Sequence, residues 1–132
     1  MLVRRLAEAP VEEWHRIRTK ILMDAGELGS RNMSVTWIEV PPGVQQELHS
    51  HEESEQVYVI TRGEGSMTVA GDRQSLQSGD LVMVPPATDH LISNEGDSDL
   101  CCLSVQSPPV TVSELFGDTV ASGVSDYEDE DY

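Results

Sequence analysis

Two histidines separated by one residue are the first feature of this chain with clear chemical potential. His49 and His51 lie in the stretch HSHEESEQ, which spans residues 49–56. In a β-strand, side chains two residues apart point to the same face, so both imidazoles can converge on one ion. Imidazole suits Zn, Fe, Ni, Cu and Mn, so the pair does not identify the metal. A third histidine, His90, follows a Pro-rich turn much later in the chain.

Three polar residues near this pair are candidates for a further ligand, namely Glu53, Glu55 and Gln56. In a regular strand Gln56 shares a face with Tyr58 and Ile60, whereas Glu55 points to the opposite face. Both faces are mostly apolar, so the alternation of side chains leaves the choice of ligand open.

Short strands separated by turn residues are the elements predicted from residue 33 onward. Each apolar or alternating run stops at glycine, proline or aspartate, and no helical pattern lies between the runs. The predicted strands are 33–40, 56–60, 66–70, 74–77, 81–84, 90–94 and 100–106. Strands at such even spacing are typical of an antiparallel sandwich or barrel. The sequence therefore predicts an all-β fold.

The N-terminal part has a different pattern, which predicts a helix over residues 10–22. Pro10 suits the first turn of a helix, and acidic residues follow it near the positive N-terminal end. Apolar residues recur at near-helical spacing, at Val11, Trp14, Ile17 and Ile21. We therefore expect an N-terminal helical segment (1–32), a β-barrel (33–116) and an acidic, disordered tail (117–132).

A formal net charge of −16 dominates the composition of this 132-residue chain. Such a surface repels nucleic-acid phosphates and anionic lipids, so we expect neither nucleic acid nor a membrane as a partner. The same acidity is compatible with a halophilic protein, adapted to high salt. The N-terminus lacks the apolar segment of a signal peptide. The adjacent Cys101 and Cys102 suit buried thiols in a reducing compartment, so we expect a cytoplasmic protein.

Two stretches resemble the paired motifs of the cupin superfamily. The first, residues 43–63, begins and ends with glycine and holds the His-x-His pair after five intervening residues. The second, residues 79–94, matches its motif at Gly79, Pro85, His90 and Asn94. Ala87 stands where the second motif usually has glycine, which predicts a slightly different turn. The short span between the two stretches is typical of compact single-domain cupins.

This resemblance implies an all-β cupin fold, a double-stranded β-helix or jelly-roll barrel that holds one divalent metal. The metal would be bound by His49, His51 and His90, together with a carboxylate from the first motif. Gln56 falls at the spacing of that carboxylate, and Glu55 is the alternative. Three imidazoles and an amide leave the charge of a cation uncompensated. Such a cation is a stronger Lewis acid and has room for an anionic ligand.

For function, the resemblance implies a small metal-dependent enzyme that acts on a polar organic molecule by oxygenation, isomerisation, cyclisation or elimination. Tyr58 is the candidate catalytic residue, as a side chain that lines the cavity on the face of Gln56. The alternative is a non-catalytic cupin that binds a metal or a small ligand, for example as a sensor. The resemblance also implies a homodimer that packs through outer β-strands. A fold that supports so many activities does not choose a reaction.

Overall fold

A computed structural model describes residues 1–109 and 119–120 of the chain. Within these residues there are eleven strands, and helical geometry is confined to two 3-10 turns, Leu6–Glu8 and Glu27–Gly29. The strands are β1 (Val11–Trp14), β2 (Ile17–Met23), β3 (Ser34–Val40), β4 (His49–Ser50), β5 (Glu55–Arg62), β6 (Glu64–Val69), β7 (Asp72–Gln77), β8 (Leu81–Val84), β9 (His90–Ser93), β10 (Leu100–Ser107) and β11 (Thr119–Val120). The expected all-β fold is confirmed.

The strands form two antiparallel sheets that share one hydrophobic core. The six-stranded sheet has the order β1-β2-β3-β10-β5-β8, and the five-stranded sheet has the order β11-β4-β9-β6-β7. Ile60 of the first sheet packs in the same core cluster as Met67 and Ile92 of the second. Strands that are distant in the chain are neighbours in both sheets, which is the winding of a jelly-roll barrel.

The inner face of the six-stranded sheet is polar at one end and apolar at the other. Buried residues occupy every second position of β3 and β5, as the pleat of a strand requires. In the pairing of β5 with β10, Gln106 lies opposite Gln56, whereas Cys102 lies opposite Ile60. The polar end of this face is therefore the end that carries Gln56.

The helix predicted over residues 10–22 is wrong, because this segment forms the β1–β2 hairpin. His15 and Arg16 make the two-residue turn, with positive φ angles of 49° and 72°, as hairpin turns of type I′ require. The apolar residues fit a near-helical spacing, but the burial of the side chains follows a period of two. Ile17, Thr19 and Ile21 are buried, and the residues between them are not. β-Branched residues favour strands, and the pairing of β2 with β3 decides the outcome.

Turns at the ends of the two motifs explain several of their residues. Gly63 has a φ of 87°, and a Cβ atom there would collide with the carbonyl oxygen of Asp99. Asn94 donates from Nδ2 to the carbonyl oxygens of Val40 and Ser98, over 2.8 Å in each case. Asn94 therefore stabilises the loops at one end of the barrel.

Ala87, at the position where the second motif usually has glycine, has a φ of 57°. Its amide donates to the carbonyl oxygen of His51 over 2.7 Å, which ties the turn before His90 to the first motif. A left-handed conformation costs a non-glycine residue about 1–2 kcal/mol, whereas glycine costs about 0.5–1 kcal/mol in chain entropy. Alanine at this position is therefore strained.

We expect Ala87→Gly to raise the free energy of unfolding by up to about 1 kcal/mol, because relief of the strain outweighs the added entropy of the unfolded chain. Denaturant titration measures this change. Ala9 has an ordinary φ of −71°, so Ala9→Gly is the matched control and is expected to destabilise the protein. Destabilisation by both substitutions would contradict the strain at Ala87.

Three expectations about the chain can be compared with the described residues. Within the predicted tail (117–132), Thr119–Val120 form β11 and pair with β4. The rest of that tail lies outside the described residues, so its disorder stays a prediction. Cys101 and Cys102 are buried free thiols, as expected. In the described part of the chain, no helix is long and apolar enough to cross a membrane.

Candidate metal centre

Three buried histidines from the five-stranded sheet meet inside the barrel. His49 in β4 and His90 at the start of β9 are Cα partners in neighbouring strands, and His51 follows β4 directly. The ring centroids lie 4.3 Å apart for His49 and His90, and 5.4 and 5.5 Å from His51. One nitrogen from each ring can be chosen so that all three lie within 4.8 Å of one another. The structure thus brings together the histidines of both motifs.

Hydrogen bonds set the orientation of two of these rings. Nδ1 of His49 lies 2.8 Å from the carbonyl oxygen of Glu47, and Nδ1 of His90 lies 2.9 Å from that of Thr88. A carbonyl oxygen only accepts, so each Nδ1 carries the proton and each Nε2 carries a lone pair. Both Nε2 atoms are buried and have no hydrogen-bond partner in the described residues. Metal-ligating histidines have the same arrangement.

Burial keeps the imidazoles of His49 and His90 neutral. Loss of solvation lowers the pKa of His49 well below its usual value, and the neighbouring His90 lowers it further. Loss of solvation also lowers the pKa of His90, although the carbonyl of Thr88 opposes this shift. Neutral imidazole is the form that binds a metal, so protons compete weakly with a cation near neutral pH.

Gln56 is buried on the inner face of the opposing six-stranded sheet. Its neighbour on that face is Tyr58, whose ring centroid lies 6.0 Å from that of His90. The Nε2 of Gln56 donates to Oγ of Ser104 over 2.7 Å, and a second side-chain hydrogen bond links Gln56 to Tyr58. The Oε1 of Gln56 is buried and has no partner in the described residues. Because the amide nitrogen is engaged, the carbonyl oxygen is the atom left to bind a ligand.

The carboxylates of the first motif point away from this site. Glu53 and Glu55 are exposed, whereas Gln56 is only 2% exposed. Asp89, next to His90, is exposed as well, and no Asp or Glu among the described residues is buried. The polar groups that surround the centre are therefore neutral, and the structure brings Gln56 rather than Glu55 to the inside.

Tyr58 is fully enclosed, with 1% of its surface exposed. Side-chain hydrogen bonds link it to Gln56 and Gln46, and Oε1 of Gln46 accepts from the amide of Ile92 over 3.2 Å. Burial raises the pKa of Tyr58, so its hydroxyl stays protonated. Tyr58 lies on the face that sequence reasoning assigned to it, and its catalytic role stays a prediction.

Sequence reasoning missed Ser104 and Gln106, which lie in the stretch LCCLSVQ. Alternation predicted a strand there, but the rule that apolar residues mark the buried face would place Leu103 and Val105 inside. The structure buries the polar set instead, opposite Gln56 and its neighbours in β5. Polar residues at alternate positions of a central strand are a usable signal for a binding cavity once the pairing of strands is known.

Comparisons with known sequences agree with this geometry. A family model described as Cupin domain (Cupin 2) matches residues 36–106, more than half of the chain. The chain is 29% identical over 101 residues to the Oxalate-binding protein of Thermotoga maritima, an alignment that covers 76% of this chain and 78% of that protein. It is 39% identical over 70 residues, 53% of its length, to the uncharacterised protein MJ1618 of Methanocaldococcus jannaschii. It spans only about half of that relative, 56%.

Solved structures share the architecture. The crystal structure of a predicted oxalate decarboxylase from Thermotoga maritima has a TM-score of 0.74 at 25% identity, covering 80% of this chain and 98% of that one. KdgF from Halomonas sp. has a TM-score of 0.73 at 18% identity, covering 83% and 96%, and this likeness shows the fold alone. From the family match, the barrel and the three clustered histidines, we conclude that the chain belongs to the cupin superfamily.

Proposed function

We propose that this protein is a metal-dependent cupin that binds a small carboxylate at a centre of His49, His51, His90 and Gln56. The neutral polar set carries the proposal, since no Asp or Glu of the described residues is buried there. A divalent cation on neutral ligands keeps its full charge in a site of low polarity, where an anion compensates it. The name of the Oxalate-binding protein relative points to the same class of ligand.

The residues fit a transition metal better than Mg or Ca. Imidazole nitrogens suit Zn, Mn, Fe, Ni or Cu, whereas Mg and Ca prefer oxygen ligands. A lone pair on Nε2 of His49 and of His90, and the unpartnered Oε1 of Gln56, are the atoms that would hold the ion. When bound, such an ion polarises an oxygen atom that coordinates it. Ser104 and Tyr58 hold the Gln56 amide, so its oxygen is oriented in advance.

Metal analysis combined with ligand titration tests the proposal. We expect about one transition metal per chain after purification without added metal or after reconstitution. Oxalate is then expected to bind the metal-loaded protein at least about tenfold more tightly than oxamide, which has a similar shape and no charge. The chelator-treated protein serves as the control and is expected to lose oxalate binding. Oxalate binding of equal strength with and without metal, or no metal after reconstitution, would overturn the proposal.

A second candidate function is that of an enzyme that converts the bound molecule. The position of Tyr58 favours this function. Its protonated hydroxyl lies in a hydrogen-bonded group with Gln56 and Gln46, next to His90, and can hold a proton near a bound ligand. The reaction classes that we propose for such an enzyme are oxygenation, isomerisation, cyclisation and elimination. Nuclear magnetic resonance of mixtures of protein and candidate acids distinguishes the two functions. Product formation would identify an enzyme, and binding without product would identify a sensor or binding module.

We also propose a homodimer, because the outer face of the six-stranded sheet carries two apolar rows. The rows are Met83, Val57, Val105 and Val35, and Leu81, Val59, Leu103 and Trp37. Leu81 is 61% exposed and Met83 is 44% exposed. A contiguous apolar patch of this kind on one face of a sheet marks an interface.

Leu81→Glu is expected to shift the protein from dimer to monomer in sedimentation analysis, because it places a charge in an apolar contact. Leu2 is a comparably exposed apolar residue outside these rows, with 69% of its surface exposed, so Leu2→Glu is the control and is expected to leave the dimer intact. A monomeric wild type would contradict the assignment of this face.

A further inference from the structure

Four buried polar atoms on neighbouring strands of the six-stranded sheet have no hydrogen-bond partner among the described residues. They are Oε1 of Gln56 in β5, Nε2 of Gln106 in β10, Oγ1 of Thr36 in β3 and Oγ1 of Thr19 in β2. Gln106 is 1% exposed, Thr36 5% and Thr19 0%. A buried polar group without a partner costs about 1–3 kcal/mol, and such groups are few in folded proteins. Three of them, those of Gln56, Gln106 and Thr36, lie on adjacent strands at the polar end of the inner face, and they indicate a molecule that they bind.

Strand pairing places Gln56, Gln106 and Thr36 in a diagonal row across the sheet, whereas Thr19 lies opposite Ile38, at the apolar end of the inner face. Gln106 lies opposite Gln56 in the pairing of β10 with β5. On the other side of β10, Thr36 lies opposite Ser104, two residues from Gln106. Neighbouring strands are about 4.8 Å apart and two residues along a strand span about 6.6 Å, so Gln56 and Thr36 are about 12 Å apart across the sheet. A two-carbon acid on the metal is too short to reach from one to the other.

The chemistry of the row differs from that of the metal centre. The amide nitrogen of Gln106 donates hydrogen bonds, and the hydroxyl of Thr36 both donates and accepts. Among the residues that the structure describes, no charged side chain is buried on this face, so a second carboxylate would find no counter-charge there. A hydroxyl or keto oxygen matches these groups, because it forms the same neutral hydrogen bonds.

We propose that Gln106 and Thr36 form a subsite for a neutral oxygen at the far end of a ligand whose carboxylate binds the metal. The ligand class is therefore a hydroxy- or keto-carboxylate of about four to six carbons, the length that spans about 12 Å less the reach of the side chains. This subsite rests on the proposed function, since the carboxylate must be anchored at the metal. It extends that function by naming the rest of the ligand and the residues that select it.

Calorimetric titration of the metal-loaded protein with matched acids tests the subsite. The probes are 4-hydroxybutyrate against butyrate, 6-hydroxyhexanoate against hexanoate, and succinate as the diacid. In at least one pair, the hydroxy acid is expected to bind at least about tenfold more tightly than the plain acid, because the plain acid leaves buried donors unpaired. Succinate is expected to bind more weakly than 4-hydroxybutyrate.

Substitutions assign this preference to the row. Gln106→Leu and Thr36→Val are nearly isosteric substitutions. Each is expected to bring the ratio of the affinity for the hydroxy acid to the affinity for the plain acid close to one. Thr36→Ser restores a hydroxyl and is expected to restore the preference. Thr61→Val is the matched control, because the Thr61 hydroxyl donates to the Cys101 carbonyl, away from the row, so its ratio is expected to equal that of the wild type.

The outcomes separate this inference from the proposed function. Equal affinities for both members of each pair, in a protein that still binds metal and oxalate, would overturn the subsite alone. A preference that persists in both Gln106→Leu and Thr36→Val would overturn it as well, since ordered water would then occupy the row. Loss of metal or oxalate binding by the wild type would overturn the proposed function, and the subsite with it.

Discussion

Replacing His90 with alanine is expected to abolish stoichiometric metal binding and to lower the affinity for Zn or Mn by more than about a hundredfold. His90 is the one histidine of the cluster that the second motif supplies, and its ring lies 4.3 Å from that of His49 and 5.5 Å from that of His51. Without it, two imidazoles remain on one side of the site, and the opposing Gln56 offers only a weak neutral oxygen. Dialysis against a chelator of known strength, followed by elemental analysis, measures the change.

The chain offers a matched control for this experiment. His15 lies exposed in the turn of the β1–β2 hairpin, far in the fold from the cluster, so His15→Ala is expected to keep wild-type metal content. Because His90 is fully buried, the fold of His90→Ala should be checked by circular dichroism. A folded His90→Ala variant with one tightly bound metal per chain would refute the proposed centre.

The histidine cluster could be anticipated from the sequence, whereas its surroundings could not. His49 and His51 share a face by simple alternation, and the two motifs supply His90 at a fixed distance from a turn. The choice between Gln56 and Glu55 depends on which face of β5 is inside, and both faces are mostly apolar. Only the pairing of β5 with β10 and β8 in the folded sheet fixes that face.

The N-terminal segment shows where a local pattern misleads. Ile17 and Ile21 fit a helical stripe, but Thr19 between them is buried too, so the true period is two. Intrinsic preferences are weak compared with the pairing of β2 to β3, which a sequence does not display. The proposed subsite residues Thr36 and Gln106 were missed for the same reason, because they come from separate strands.

Changing Gln56 to glutamate is expected to strengthen metal binding by at least about tenfold and to weaken oxalate binding by about ten- to a hundredfold. The new carboxylate compensates the cation, so less charge remains for an incoming anion. Two like charges about 5 Å apart repel by about 3 kcal/mol at an effective dielectric constant of about 20, which sets the upper end of this range. Opposite shifts in the two affinities are the signature of a residue that touches both metal and ligand.

The surroundings of Gln56 tolerate this change. Ser104 now accepts a hydrogen bond from the amide nitrogen, and Tyr58 is hydrogen-bonded to the same side chain. Both hydroxyls can turn to donate to a carboxylate instead. Calorimetric titrations of metal into the apo-protein, and of oxalate into the metal-loaded protein, give both affinities. Glu55→Gln is the matched control, since it makes the reverse change of charge one residue away on the exposed face.

We expect Glu55→Gln to change either affinity by less than about twofold, because solvent screens an exposed charge. If Glu55→Gln weakens metal binding while Gln56→Glu has no effect, Glu55 is the ligand and β5 must rotate in the metal-bound protein. If Gln56→Glu strengthens metal binding and leaves oxalate binding unchanged, the anion binds away from Gln56. The neutral side chains around the metal would then not serve to select an anion. The proposal that the protein binds a small carboxylate there would fail, whereas the proposed metal centre would remain.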